Sequence, residues 1–345
     1  MTNKTPPDYV LKAYEKLGPC EEIKLINMGL INNTWLIITK SRKYILQEVS
    51  AIFDTTIHDD AWAVCAHVAP QGLLVPRIIP DNNNNLFLSY SGKIFRALEY
   101  ISGGSFHKIQ NLTMAEQAGI IIGKFHASLV NFNYEYLSKR RQAGDFNFHA
   151  TNLKQALEKN TQHEYYSRIN KIALDMLENM TLLALNFSST KRHIHGDPKI
   201  SNIIFDTNYH ACALIDFDTL NNSGWSLEIA DALRSWCNPN EEDILEAYVD
   251  LEIAQSALAG YGETIAGRWT EQEHDELIIA MQAITLCLSM RYLADVVNES
   301  YWAYDSTRFV RPADHNLLRA QAMFNLFQDF KAKKSELKTL IKRYL

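Results

Sequence analysis

The sequence lacks a basic block of nucleic-acid-binding size, a disulfide pattern, an apolar run of membrane-spanning length and any repeat of fixed period. Its formal charge is −6, and the one basic stretch, Lys331 to Arg343, interleaves charged with apolar residues as a solvated helix face does. Without a domain-wide basic footprint, neither nucleic acid nor a membrane surface is the expected partner. Five cysteines (Cys20, Cys65, Cys212, Cys237 and Cys287) are odd in number, widely spaced and mostly set in apolar segments. That suits reduced core thiols rather than bridges or a zinc site and points to the cytoplasm. The opening MTNKTPPDYV has no signal-peptide core, and no stretch approaches the ~20 apolar residues of a membrane span. Walker A, G-x-S-x-G and H-E-x-x-H strings are also missing. What is present is an ordinary globular composition over 345 residues, more than one typical core holds, so two packed lobes are expected.

The pattern divides the chain into a β-rich segment, 1–101, and a helical one, 102–345. A short helix over Tyr9 to Leu17 precedes strands at Ile23 to Ile26, Thr34 to Thr39 and Tyr44 to Val49, an antiparallel meander. A helix at Ile57 to Ala69 follows, then a hairpin of Leu86 to Ser89 with Ile94 to Tyr100. Beyond Ser102-Gly103-Gly104 the period is helical: Met114 to Val130, Tyr165 to Leu185, Ile244 to Ala259, Glu271 to Val297 and Asn316 to Leu345.

One stretch of the helical half reads differently. In HIHGDPKISNIIFDTNYHACALIDFDTL, residues 193–220, a polar loop leads into two short apolar strands. If Phe205 pairs with Ala211, Asn202 and Asp216 fall near each other on one face of the hairpin. Phosphoryl transfer needs a carboxylate at the attacking hydroxyl and oxygen ligands for the magnesium that bridges the phosphates. Asp197 and Asn202 have the spacing D-x-x-x-x-N, and Asp216 completes the set. Asp218 reads as a further ligand or as support behind the site. Two unit charges ~4 Å apart repel by roughly 4 kcal/mol at an effective dielectric of about 20, so convergence of Asp197, Asp216 and Asp218 would call for a cation. Magnesium suits a few hard oxygen donors.

These motifs resemble the aminoglycoside phosphotransferase and choline kinase superfamily, relatives of the protein kinases, where HGD-x-x-x-x-N and a later I-D-F/L-D recur. The resemblance extends through the hinge-like LEYISG (98–103) over nearly the whole chain. It implies an α+β, protein-kinase-like two-lobe fold: a small antiparallel β-rich lobe that binds nucleotide and a large mainly α-helical lobe that binds the acceptor. It also implies a small-molecule kinase that uses ATP and Mg2+. GLINNTW with KYILQEV, HGDPKISNIIFD with LIDFDTL, and MRYLADVV with DHNLLRAQ are similar to the N-acetylhexosamine 1-kinases, which phosphorylate a sugar at its anomeric hydroxyl. Choline, ethanolamine or an aminoglycoside is the alternative acceptor.

On that footing Asp197 orients the acceptor hydroxyl, Asn202 and Asp216 hold magnesium, and Gly29, Asn32, Asn33, Thr34, Gln47, Glu99 and Tyr100 surround the nucleotide. Gln47 stands where protein kinases carry their phosphate-binding strand lysine, which leaves Lys199 as the candidate cation. Acceptor contacts fall to Asp231, Arg234, Arg291, Tyr301 and Arg319. Arg291 interrupts an apolar helix and needs partners, an i,i+4 pair with Asp295 being the plain alternative. Two rival readings exist: DFDTL partly fits the D-x-D-x-T motif of haloacid-dehalogenase-type phosphatases, making Asp216 a nucleophile, and Gln47 would suit an inactive nucleotide-binding pseudokinase. The phosphatase reading leaves HGDPKISN unexplained. An EF-hand loop starting at Asp216 fails because its twelfth position is Leu227.

Overall fold

The structure, a computed structural model, describes residues 5–26, 31–139, 144–265 and 267–345. Its first lobe is a twisted antiparallel sheet: β1 (Cys20–Ile26), β2 (Asn33–Thr39), β3 (Lys43–Val49), β4 (Ile78–Ile79), β5 (Leu88–Tyr90) and β6 (Lys93–Glu99), in the order β1-β2-β3-β6-β4 with β5 also on β6. Period-two alternation makes this sheet two-faced. Trp35, Ile37, Tyr44, Leu46, Phe95 and Ala97 turn one way and form a core with Val10 of α1 (Asp8–Lys12) and with Tyr14 and Leu17. The opposite face turns to a cleft. α2 (Ile57–Val68) lies under the sheet, and its Ala61, Val64, Cys65 and Val68 join the core of the second lobe.

The second lobe comprises α3 (Leu112–Ser128), α4 (Phe146–Lys159), α5 (Tyr166–Leu182), α6 (Trp225–Trp236), α7 (Leu251–Ile265), α8 (Glu271–Asn298), α9 (Pro312–Ala332) and α10 (Lys334–Tyr344). α8 is its axis. Thr270 and Glu273 form a capping box that starts the helix, and the helix is buried on nearly all sides. Contrary to the expectation that no stretch approaches a membrane span, α8 is long and apolar enough to cross one; 83% of its apolar window lies inside the fold, as befits a core helix. Two small ribbons sit at the cleft, β7 (Arg192–Ile194) with β10 (Asn221–Ser223), and β8 (Ile203–Phe205) with β9 (Ala211–Leu214). All five cysteines are free.

Three sequence expectations change. Residues 244–250 are not helical, because tertiary bonds hold them extended: Val249 N–H donates to Asp329 Oδ2 at 2.6 Å and Asp250 N–H to Cys237 O at 2.8 Å. The Asp250 carboxylate then accepts from Glu252 and Ile253 N–H and begins α7 seven residues late. The C-terminal helix is two helices, broken at Lys333. α4 was not expected at all, yet Asp145 caps it by accepting from Phe148 N–H at 3.2 Å, and Leu153, Ala156 and Leu157 carry its buried face.

Candidate active site

The β8–β9 hairpin has the register expected from its sequence, Phe205 against Ala211, with an irregularity between Ile204 and Phe205. Ile215 N–H donates to Asn202 O at 2.9 Å, which brings the residue before Asp216 against the one after Ser201. Gly103 lies so close to this hairpin, at φ +144°, that a side chain there would strike Ile204 and the Phe205 carbonyl.

The loop before the hairpin is held from behind. Gly196 has φ +83°, and a Cβ there would collide with the Thr219 carbonyl oxygen, so only glycine fits between His195 and Asp197. Glu228 of α6, 1% exposed at its side chain, accepts from His195 N–H at 2.8 Å and Gly196 N–H at 3.0 Å. The His195 imidazole, fully buried beside Phe125 and Phe217, hydrogen-bonds the Ile215 carbonyl through Nε2 at 2.9 Å. His126 is buried behind it, stacked on Trp225 at 4.8 Å. Charged acceptors for backbone N–H groups are worth about 1.5–3 kcal/mol. Glu228→Gln, which keeps only one good acceptor, should lower both melting temperature and turnover; thermal denaturation read beside ADP release checks this.

At the cleft, Lys199 Nζ meets Asp197 Oδ2 at 2.5 Å, and Asn202 Nδ2 donates to Asp197 O at 2.9 Å and to Oδ2 at 3.2 Å. With its amide nitrogen committed to Asp197, Asn202 keeps Oδ1 as a free oxygen donor. Burial opposes the Asp197 charge, but Lys199 outweighs it and holds that carboxyl below the usual range. Burial likewise opposes the Lys199 ammonium, and Asp197 and Asp216 hold its proton on. Asp216 is different. Its backbone is left-handed, φ 70° and ψ 61°, an unusual state for a non-glycine residue. Burial first, and then the neighbouring Asp218, push its carboxyl pKa up.

Asp218 does not converge with Asp197 and Asp216 as a third free carboxylate. It is spent on Arg96 Nη1 at 2.6 Å and Asn32 Nδ2 at 3.0 Å. Among the described residues no group of three His, Cys, Asp or Glu side chains could hold a metal alone. The set that fits magnesium is the Asp216 carboxylate with the Asn202 oxygen, one charge and one neutral donor, which leaves further positions for water and phosphate.

Asn32, Thr34, Gln47, Glu99 and Tyr100 all line the same cleft, which measures about 1250 Å³. Asn33 does not: it opens β2 opposite Glu48, and strand alternation turns it away from its neighbours Asn32 and Thr34. Gly29 lies outside the described residues. The Glu99 carboxylate accepts from Arg77 at 2.9 and 2.8 Å, and the Glu99 N–H donates to the Arg77 carbonyl at 2.9 Å.

Asp231, Arg234, Arg291, Tyr301 and Arg319 line the other half. Arg234 bridges Asp231 at 2.7 Å and Glu242 at 2.6 Å, and Tyr292 O–H donates to Glu242 at 2.6 Å. Arg291 does not pair with Asp295, whose carboxylate instead accepts from Ser300, Tyr301 and Trp302 N–H and from Asn316. The Arg291 guanidinium stands over the rings of Trp302 at 5.1 Å and Tyr301 at 6.0 Å. Sequence reasoning missed Arg96, Glu228, Glu242 and the α4 wall of Phe148, Asn152, Gln155 and Lys159. The i, i+4, i+7, i+11 spacing of that wall was the available signal, as was a lone arginine in the apolar strand IFRALE.

An antiparallel sheet over a helical lobe, with a D-x-x-x-x-N loop and a second aspartate at the cleft between them, defines a kinase-like phosphotransferase. Asp216 follows an antiparallel hairpin in this fold. Comparison with known families narrows the class: residues 22–263 match APH, the Phosphotransferase enzyme family, and the chain belongs to that family. It is a small-molecule kinase acting on an alcohol group, with ATP and Mg2+ as the family's cofactors. Its relatives include the homoserine kinases of Zymomonas mobilis, 24% identical over 84% of this chain and 85% of that one, and of a Janthinobacterium species, 24% identical over 80% and 82%. Among solved structures it resembles an aminoglycoside phosphotransferase from Alicyclobacillus acidocaldarius (TM-score 0.63, 14% identity, covering 97% of this chain and 98% of that one). It also resembles a microcompartment-associated aminopropanol kinase (TM-score 0.63, 14% identity, 94% and 97%). The sequence relatives thus include homoserine kinases, and the finer likeness to the N-acetylhexosamine 1-kinases is not carried by them.

Proposed function

We propose that this kinase phosphorylates a neutral sugar, at the anomeric hydroxyl. The observation that carries this reading is the charge balance of the acceptor half. The carboxylates of Asp231, Glu242 and Asp295 face the guanidiniums of Arg234, Arg291 and Arg319 there, beside the rings of Tyr292, Tyr301 and Trp302; of the two further carboxylates on this wall, Asp243 is held by Arg308 and His315, and Glu241 is exposed to solvent. A cationic amino alcohol or an aminoglycoside calls for surplus carboxylate; all of these but the exposed Glu241 are already engaged by arginine, histidine, tyrosine or backbone N–H groups. A balanced field with an aromatic wall suits an uncharged polyol, which is recognised by hydrogen bonds and ring contact.

In this reading Asp197 accepts a hydrogen bond from the attacking hydroxyl and aims it. Its lowered pKa makes it a weak base, which suits a loose transition state in which the proton leaves late. Asn202 and Asp216 would hold magnesium, which supplies charge neutralisation on the transferred phosphoryl group. Lys199, fixed by Asp197, adds a cation on the acceptor side of that group. The nucleotide lies between the small-lobe sheet face and the hinge at Glu99 and Tyr100. A cytoplasmic location fits the free thiols.

A second reading has one observation behind it: Arg291 pairs with no carboxylate among the described residues and could receive the carboxylate of a hydroxy-amino acid, as the homoserine kinase relatives suggest. ADP release against free hexoses, N-acetylhexosamines, homoserine, amino alcohols and aminoglycosides separates the two. Sugar-dependent release is expected, and release with homoserine alone would overturn the sugar reading. Arg291→Ala should raise the KM for the sugar by roughly tenfold with the KM for ATP unchanged; an unchanged acceptor KM would remove Arg291 from the site.

A further inference from the structure

Protein kinases of this architecture meet the ATP phosphates with a lysine on the third strand, and here that position is the neutral Gln47. Arg96 stands directly across from Gln47 on β6, and Thr34 directly across on β2. Because Phe95 and Ala97 fill the small-lobe core, Arg96 turns to the cleft with Gln47 and Thr34. The three make one hydrogen-bonded row: Arg96 Nε donates to Gln47 Oε1 at 2.9 Å, and Gln47 Nε2 to Thr34 Oγ1 at 3.2 Å. On its far side Arg96 Nη1 meets Asp218 Oδ1 at 2.6 Å, while Asn32 Nδ2 donates to the other Asp218 oxygen at 3.0 Å. Nη2 has no hydrogen-bond partner among the described residues.

We propose that Arg96 is the phosphate-binding cation of this kinase: its guanidinium receives the ATP phosphates from the sheet face, and Asp218 positions it. The proposal needs only that the chain binds ATP and does not depend on the acceptor.

Three arguments support it. The cation stands one strand over from the vacated lysine position, on the same face, and between Asn32 of the first turn and the loop that carries Asp216. An arginine has five donors in a planar fork, so it can hold Gln47 and Asp218 and still offer N–H groups to phosphate oxygens. Gln47 is also the residue this arrangement requires. A lysine there would press a like charge onto Arg96, whereas the amide accepts from Nε and orients the fork. Buried and unpaired, Arg96 would be strongly destabilising, which explains why Asp218 is spent on it and not on metal.

Calorimetric titration of the full chain with Mg-ATP and Mg-ADP, and adenosine by displacement, tests this against a tie between the lobes that touches no phosphate. The informative variant is Arg96→Met with Asp218→Asn, which removes both buried charges together. It should bind adenosine as the wild type does and Mg-ATP and Mg-ADP roughly tenfold or more weakly. Adding Gln47→Lys should restore part of the loss by returning the cation to the third strand. Arg96→Lys, a milder change that keeps the charge, should show a smaller loss of the same kind, still confined to the phosphorylated ligands. Wild-type Mg-ATP affinity in the double variant, or equal losses for adenosine and Mg-ATP in both variants, would overturn the proposal.

Discussion

Asp197→Asn should lower turnover by about three orders of magnitude and leave Mg-ATP affinity within a small factor. The substitution keeps the shape that lets Asn202 donate to the residue 197 carbonyl, so the loop over Gly196 is preserved. It removes the charged acceptor at which the sugar hydroxyl would be aimed, and it frees Lys199 from its partner at 2.5 Å. Single-turnover kinetics with acceptor present checks this, because the loss should fall on the chemical step. A variant that turned over normally would remove Asp197 from the role proposed for it.

The second large effect is a split between activity and stability at Asp216. This carboxyl sits in a left-handed backbone position, is partly buried, and has its pKa pushed up by burial and by Asp218. For an acid whose pKa is raised by folding, the ionised form costs stability. The cost is full above the folded-state pKa and is relieved as pH falls toward the ordinary carboxylate range. Asp216→Asn removes the charge, and asparagine tolerates the left-handed backbone. At neutral pH the magnesium-free variant should therefore melt no lower than the wild type, and by a few degrees higher, while losing turnover by at least about a hundredfold. The thermal shift that magnesium with nucleotide gives the wild type should shrink in the variant. Loss of stability together with activity would mean that Asp216 serves the fold and not the metal.

The candidate site was legible where its residues are local in sequence. Asp197, Asn202 and Asp216 lie within one loop and hairpin, so spacing and a two-residue period placed them before any tertiary contact was known. The parts that stayed hidden depend on distant segments. Arg96 gains its meaning only when β3 and β6 pair Gln47 with it and the β9 loop brings Asp218 up to it. Glu228 reads as an ordinary helix carboxylate until α6 is seen behind His195 and Gly196. Residues 244–250 have helical spacing, yet Asp329 and Cys237 take their N–H groups and leave no helix to form. Asn33 failed for a simpler reason, since three consecutive strand and turn residues cannot all face one side.

Family membership makes the chain a kinase, and the proposed sugar acceptor rests on the engaged charges around Arg234 and Arg291. The most direct test is the phosphorus NMR spectrum of the product formed from Mg-ATP and the best acceptor of the panel. A phosphate on an anomeric carbon couples to one proton and gives a doublet; the sugar reading predicts that signal, together with loss of the reducing end. A triplet, from phosphate on the methylene of homoserine or of an amino alcohol, would contradict it.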